Sequence, residues 1–489
     1  MSQAVEPAQA LESARTAAAI DALRRYWRGR EVLILLPEFT AAARTIIGEL
    51  ADCGAEVTGV LTAAHPAADA PAVRHLWSFA DHGYQLTPST FDLMLREPPA
   101  ELADWLSAVD PGRSLLALGG TFTHVDSLCG RQVHGWRRPE WAAWEDKTRI
   151  ESLWREAGVP SPPHAVLPVG DPALPDIMIR LDRGLGVVLA LDSTRGFLGD
   201  STGLRWVRNP REPAGALAWC QGKTDRLRVA AFVPGVPCSV LGMVLADGVA
   251  VFDPIEIVTL RDPARDALVF CGSSTWWRPG AQAADLIRRH ARSAGARLAA
   301  FGFRGMFSVD GILNGNDFRA TELNPRHASG LGLRAGWPRF PGYLFQRAMQ
   351  EGMPGVFDLP CHAVEEEFRT TVRGHPSYSV RVPLAASSPA ASSPAASARL
   401  AGGSRHILDL ATATFPYPVV QTVAYHRGAR SARVLSIDPP LPEGLAAPAA
   451  AALATALGPT RLTSCRDDVR RAPSPRKAHD EHRIAHKSA

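Results

Sequence analysis

Asp310, Glu322 and Asn324 are spaced in a way that suits metal binding. Met306 to Leu313 is rich in β-formers, and Asn314-Gly315-Asn316-Asp317 is turn chemistry whose residues tolerate positive φ. Phe318 to Leu323 returns as a second strand, and Pro325, which has no N–H to give, stops the ladder. A turn centred near Asn316 sets Asp310 opposite Glu322, and strand alternation puts Asn324 on the Glu322 face. Opposed residues have Cβ atoms roughly 4.5–5.5 Å apart, where like charges destabilise the pair. A hard cation removes that conflict: two carboxylates and an amide oxygen form a magnesium site with positions open to water or phosphate. A solvated hairpin whose acids are neutralised by Arg319 and Arg326 fits the same spacing.

The chain around this hairpin has 489 residues, enough for a sizeable core and two to four domains or subdomains. No apolar run approaches the ~20 residues that span a bilayer. The N-terminal stretch is an Ala-rich helix candidate without the apolar centre of a signal peptide, so the expected location is cytoplasmic, with no membrane contact. The net charge of +4 is uneven: residues 466–489 hold seven Lys/Arg and four Asp/Glu, which is +3 and leaves +1 for the rest. A basic tail on a near-neutral body argues against a nucleic-acid surface. The seven cysteines are scattered without a CxxC pair, so neither a disulfide framework nor a zinc site is expected. Of 53 Lys and Arg only four are Lys, and only Lys147 and Lys223 precede the tail. A lysine survives such a bias where a compact ammonium is needed, although chance accounts for any single one equally well.

In chain order, 31–36 (EVLILL) reads as a buried strand, Ala41–Cys53 as a helix and Glu56–Leu61 as a second, parallel strand, with helices over Thr90–Val109 and a strand at Ser114–Leu118. No GxGxxG follows the first strand. Glu145-Asp146 should begin a helix that Gly158 ends, with Ile150 and Trp154 on its buried face and Lys147 in its first turn, where Asp146 and Glu151 can offset the charge. The strand Val187–Leu191 leads into a loop with Gly196, Gly199, Gly203, Ser201 and Thr202, able to offer N–H groups to phosphate. Residues 227–245 read as strand, Pro-Gly turn, strand, and Val249–Leu260 as one further strand, carrying Glu256 among apolar neighbours in an edge-exposed or partnered setting. Gln282–Phe301 is an amphipathic helix; Gly330, Gly332 and Gly336 lack the preceding strand of a nucleotide fingerprint. Residues 383–403 form an Ala/Ser/Pro linker. Beyond it, Phe415–Ala424 and Ser431–Ile437 read as strands, and Pro448–Leu457 as a short helix.

Over about residues 30–350 the chain resembles the ATP-grasp superfamily of the carboxylate–amine (amino-acid/peptide) ligase type. The resemblance is carried by EDKTRIESLWREAGVPSP (145–162), the glycine loop near 195–203, FVPGVPCSV (232–240) and, most specifically, Asp310 followed twelve residues on by Glu-x-Asn-Pro-Arg. It implies an α/β fold, α+β in the ATP site, with an N-terminal α/β domain, a mobile lid, a C-terminal antiparallel sheet and a small appended β-rich unit. The expected organisation is an N-terminal helix (1–29), a pre-ATP-grasp domain (30–133) and an ATP-grasp domain (134–350) with its lid at about 164–230. An extension (351–382), the linker (383–403), a small C-terminal α+β unit (404–465) and the basic tail (466–489) follow. By the same resemblance Asp310, Glu322 and Asn324 ligate magnesium or manganese, Arg326 faces the transferred phosphoryl group and Lys147 contacts a phosphate of ATP. The backbone of Ala231, Phe232 and Val233 holds the adenine edge, and Gly196, Gly199 and Ser201 belong to the lid loop.

The implied reaction is ATP-dependent joining of a carboxylate to an amine through an acyl phosphate, with small-molecule substrates and a homo-oligomer allowed. Glu256 and His327 are substrate-contact candidates, and Trp276-Trp277 suit core packing. Three departures stand out. The strand before the glycine loop, VVLALD, lacks the usual second Lys, for which Arg180 or Lys223 are substitutes. The acidic residue at the start of the hinge is Ala230, and the ribose-binding Glu is Pro237. They keep open a second reading, a non-catalytic or regulatory ATP-binding protein with the same fold. Neither HRD nor DFG occurs, which disfavours a protein kinase, and no biotin-attachment motif is visible.

Overall fold

The structure, a computed structural model, describes residues 7–193, 201–262, 267–275, 277–328, 342–374, 378–383, 406–410, 421–425, 431–436 and 463–464. The glycine loop through Gly196 and Gly199, the GxGxxxG segment, Trp276, the helix expected at Pro448–Leu457, and most of the linker and tail lie outside these residues.

Helix α1 (Pro7–Trp27) precedes a sheet that begins with β1 (Glu31–Leu36), α2 (Ala43–Asp52), β2 (Glu56–Thr62) and β3 (His75–Ser78). It continues through α3 (Pro88–Arg96), α4 (Ala100–Val109), β4 (Leu116–Leu118), β5 (Ser127–Leu128) and β6 (Arg131–His134). The strand order is β3-β2-β1-β4-β6-β5, parallel except for the β5–β6 pair. The apolar run of β1 has its cause here: Val32 and Ile34 pack with α1 and α2, while Leu33 and Leu35 pack with α3 and α4 on the other face.

Short α5 (Pro139–Ala142) leads to a turn and then α6 (Glu151–Ala157). The helix expected from Glu145 therefore starts six residues later. Asp146 accepts from the Thr148 N–H and hydroxyl and from Ser193, which holds residues 146–150 in turns. Ile150 and Trp154 are buried as expected.

A small antiparallel sheet follows, built from β7 (His164–Pro168), α7 (Leu174–Leu181), β8 (Val187–Leu191), β9 (Leu204–Val207), α8 (Ala214–Cys220) and β10 (Arg226–Ala231). Its order is β7-β10-β8-β9, and its core packs Leu227 and Val229 of β10 with α7 and α8. Among the described residues it joins the larger sheet through one pairing, Arg205 with Ala267.

The larger sheet contains β11 (Val236–Leu245), β12 (Gly248–Val251), β13 (Ile255–Asp262) and β14 (Ala267–Ser274), followed by α9 (Ala281–Ala300), β15 (Gly305–Asn314) and β16 (Asp317–Asn324). Its path runs β16-β15-β11-β13-β14 and on to β17 (Tyr378–Pro383), every pair antiparallel. The single strand expected over Val249–Leu260 is two, β12 and β13. Helix α9 packs Ile287, Ala291, Ala294 and Leu298 against Phe307 and Val309 of β15. Helices α10 (Gly342–Gln350) and α11 (Cys361–Gly374) link this sheet to the first: Phe345, Met349 and Phe368 share a core with β1 and α1. Farther along, described strands cover Gln421–Tyr425, which overlaps the expected Phe415–Ala424 and runs one residue past it, and Ser431–Ser436, inside the expected Ser431–Ile437.

Candidate active site

The β15–β16 hairpin forms as expected, with a tighter turn. Asn314 pairs with Asp317, so only Gly315 (φ 62°) and Asn316 make the loop. Asp310 nevertheless opposes Glu322, because the ladder shifts by one between Asp310 and Gly311 and Thr321 becomes an extra, bulged residue. Gly311 is required there: a Cβ on it would lie 2.5 Å from the Arg319 carbonyl and the Phe318 ring. Phe318, Ala320 and Leu323 stay in the core, while Thr321, Glu322 and Asn324 face a cavity of about 550 Å³ between the small sheet and the large one.

Asp310 sits at the floor of that cavity. Ser239, its register partner on β11, donates to Asp310 Oδ1 at 2.5 Å, and Asn324 Nδ2 donates to Oδ2 at 3.0 Å. Lost hydration and then the neighbouring Glu322 push its pKa up to about 6. Lys147 Nζ lies 2.8 Å from Glu322 Oε1, so its partner is this acid rather than Asp146 or Glu151. Arg326 donates through Nη2 to Asn324 Oδ1 at 3.0 Å and through Nε to Glu145 Oε1 at 2.6 Å, with its guanidinium 5.2 Å from the Phe122 ring.

Two charges behind this wall were not legible as site residues. Glu145 takes both Arg326 and the buried Arg137, whose Nη2 is 2.9 Å away. Although burial alone would raise it, the two guanidiniums hold the Glu145 carboxyl below its ordinary value. Its position in Glu-Asp-Lys, read as a helix start, hid it. Arg228 on β10 also lines the cavity, on the strand face shared with Ala230 and directly opposite Ala190 of β8. The signal available was a lone charge inside an apolar strand.

His327 lines the cavity and stacks on Tyr343 with ring centroids 4.7 Å apart. Thr121 and Phe122, which follow the carboxyl end of parallel strand β4, close that side. Ala231, Phe232, Val233 and Gly235 line the hinge end. The N–H groups of Ala231 and Phe232 already donate to Pro163 and Gly186, so of the three residues whose backbone was expected to hold the adenine edge only Val233 has an N–H without a partner among the described residues. Phe232 is fixed by stacking on Trp206, with centroids 3.9 Å apart. Ser201 reaches the cavity; Gly196 and Gly199 lie outside the described residues.

Glu256 is not a substrate contact. It is 1 % exposed on β13, and its neighbours Ile255 and Ile257 face the cavity, so alternation turns it to the other side of the sheet. Neither expected substitute for a second cation belongs to the site: Arg180 is exposed at the end of α7, and Lys223 is exposed and lies over Trp219. Trp277 packs in the core, as expected.

No family model matches the sequence, and no curated protein matches it. Solved structures do. An N5-carboxyaminoimidazole ribonucleotide synthetase in complex with ADP is similar at a TM-score of 0.51 and 10 % identity, over 84 % of this chain and 93 % of that one. The biotin carboxylase domain of Hydrogenobacter thermophilus 2-oxoglutarate carboxylase, with MgADP and bicarbonate, gives 0.52 and 14 %, over 84 % and 86 %. The Aspergillus clavatus N5-carboxyaminoimidazole synthase with ADP and its ribonucleotide gives 0.50 and 15 %, over 85 % and 95 %. The chain has the ATP-grasp fold. In that fold the cavity lies between the small sheet and the β11–β16 sheet, and its oxygen-only donor set suits a hard cation. Among the described residues no group of three or more His, Cys, Asp or Glu side chains competes with it. The two carboxylates are the anionic groups a cation there would meet; the Asn324 oxygen, turned to Arg326, could join them only by releasing that bond.

Proposed function

We propose that this protein is an ATP-dependent ligase that joins a carboxylate to an amine and releases ADP and phosphate. The observation that carries the reading is the convergence, in one cavity, of the Asp310–Glu322 pair, Lys147, Arg326 and the Ala231–Val233 hinge. Magnesium or manganese held by Asp310 and Glu322 supplies charge neutralisation for phosphoryl transfer. Asp310 and Glu322 hold that cation from opposed strands, and Val233 offers its N–H to the adenine edge. Lys147, from the turn before α6, is placed to meet phosphate oxygens. Arg326, fixed by Glu145, presents its guanidinium to the transferred phosphoryl group and to the carboxyl that receives it. The acyl phosphate so formed is attacked by the amine nitrogen; the acyl–oxygen bond breaks and phosphate leaves. Phe122, His327 and Tyr343 border the acceptor end, and closure of the small sheet over the cavity would keep water from the acyl phosphate.

A screen for ADP release against amino acids and small carboxylic acids, with hydroxylamine as trap, tests the reading. Wild-type protein should release ADP with some acid–amine pair only in the presence of magnesium. Glu322→Gln should reduce that rate at least about 100-fold, as expected when a group stabilising transition-state charge is removed. Unchanged turnover in the variant would sink the assignment. A non-catalytic nucleotide-binding role has Ala230 and Pro237 in its favour, both lining the cavity where acids were expected. Tight MgATP binding with no ADP from any pair would select it.

A further inference from the structure

Arg228 is 4 % exposed, yet its side chain lines the cavity. It gets there by alternation: Leu227 and Val229 enter the core beneath α7 and α8, and Arg228 and Ala230 turn to the opposite face. Its counter-charge is Glu151 at the start of α6, with Arg228 Nη2 2.5 Å from Glu151 Oε1. Arg228 Nε lacks a hydrogen-bond partner among the described residues, and Nη2 is held only by the Glu151 carboxylate, whose Oε2 accepts from Ser161 at 2.6 Å. Buried polar atoms in native proteins are overwhelmingly hydrogen-bonded, and an unsatisfied guanidinium edge beside a cavity calls for an acceptor that enters from it. Guanidinium geometry fits a phosphate or carboxylate in particular.

The register locates that acceptor. Arg228 pairs directly with Ala190, whose short side chain also lines the cavity, so Arg228 is the one charged side chain that β8 and β10 present to it. Lys147 and Arg326 line the same cavity and are held by Glu322 and Glu145. The hinge, Ala231 to Val233, begins three residues farther along the strand that carries Arg228, about 10 Å at the usual rise. A ligand whose flat edge meets that hinge and whose anionic end reaches Lys147 shares its cavity with Arg228.

We infer that Arg228 binds a phosphate oxygen of the nucleotide, supplying from β10 the cation that the opposing strand β8 lacks. The assignment rests on the nucleotide-site reading above and adds to it a residue and a strand. Glu151 is then a competitor that holds the guanidinium in place and yields it when phosphate enters.

The test is equilibrium binding by calorimetry, with ADP and adenosine as paired probes in magnesium buffer. The double variant Arg228→Met/Glu151→Gln removes both charges together and leaves no buried carboxylate unpaired. Its Kd for ADP should rise roughly 10- to 100-fold, the range of one charged hydrogen bond, while its Kd for adenosine stays within about twofold. Adding Ala190→Lys to the double variant should recover most of the ADP affinity. Glu151→Gln alone, which keeps Arg228 and frees it, should tighten ADP several-fold without changing adenosine. Equal weakening of ADP and adenosine, or unchanged ADP affinity, overturns the assignment, as does an Ala190→Lys variant that restores nothing. Should the double variant not fold, the single Glu151→Gln variant decides alone, and weaker or unchanged ADP binding there overturns it. If wild-type protein binds neither probe, the nucleotide reading itself falls; if wild type binds ADP and the variants behave alike, only Arg228 does.

Discussion

Arg326 owes its direction to a residue that never faces the cavity chemistry. Glu145 receives two guanidiniums on one oxygen, from Arg137 at 2.9 Å and Arg326 at 2.6 Å. Breaking one member of a buried ion cluster leaves the others uncompensated, at a cost of about 3–5 kcal/mol. Glu145→Gln should therefore lower unfolding stability by about that amount in urea titration, and leave Arg326 less ordered. Glu140→Gln on α5 should change little, because that carboxylate is exposed. The carboxylates Asp310 and Glu322 and the amide of Asn324, with Lys147 and Arg326, were legible as a cluster because their types and spacing follow from strand alternation and from a family pattern. Glu145 and Arg228 were not, since each acts through a contact between segments far apart in sequence, Arg326 with Glu145 and Arg228 with Glu151. Glu256 misled for the converse reason: one charge in an apolar strand does not say which face it takes. Only the burial of its flanking isoleucines in the cavity wall decides that.

At the scale of elements, the joints matter more than the strands. The runs at 31–36 and 187–191 fell where expected because buried strands are short and bounded. The start of α6 did not, because Asp146 spends its carboxylate on Thr148 and Ser193 and holds the chain in turns. Another joint ties α1 to the end of β6. Tyr26 shares a 3.1 Å hydrogen bond with His134 Nδ1, and Trp27 meets the imidazole edge-on at 5.1 Å. Burial first, and then Arg347 and Arg30, lower the His134 pKa to about 3 from 6.5. An imidazole kept neutral in the native state binds fewer protons than in the unfolded chain between those values. Its contribution is thus complete above pH 6.5 and is lost as pH falls towards 3. Stability should drop by about 2 kcal/mol between pH 6.5 and pH 5 from this group alone, and His134→Asn should flatten that part of the profile in chemical denaturation.

The whole molecule places its cavity between two sheets that share, among the described residues, a single strand pairing, Arg205 with Ala267, while α10 and α11 fasten the large sheet to the parallel one. A ligand spanning the cavity touches both sheets, and whatever binds the native state alone stabilises it. ADP with magnesium at about a hundred times its Kd should add about 2.7 kcal/mol to the stability of the units that hold it, seen as a raised melting transition. Nucleotide without magnesium should give less, because Asp310 and Glu322 then face phosphate without a cation between them.

The bulge at Thr321 carries a consequence for counting. Across a two-residue loop, cross-strand partners are always an odd number of positions apart, as Asn314 and Asp317 are. Asp310 and Glu322 are twelve apart, an even number, and an even number cannot close over that loop without one surplus residue. Parity alone thus encodes the bulge, visible in the sequence to anyone who knows the loop length. It also means that a chain shortened by Thr321 keeps its acids face to face at a separation of eleven. A search demanding twelve would pass such a chain by, although the pairing it looks for is intact.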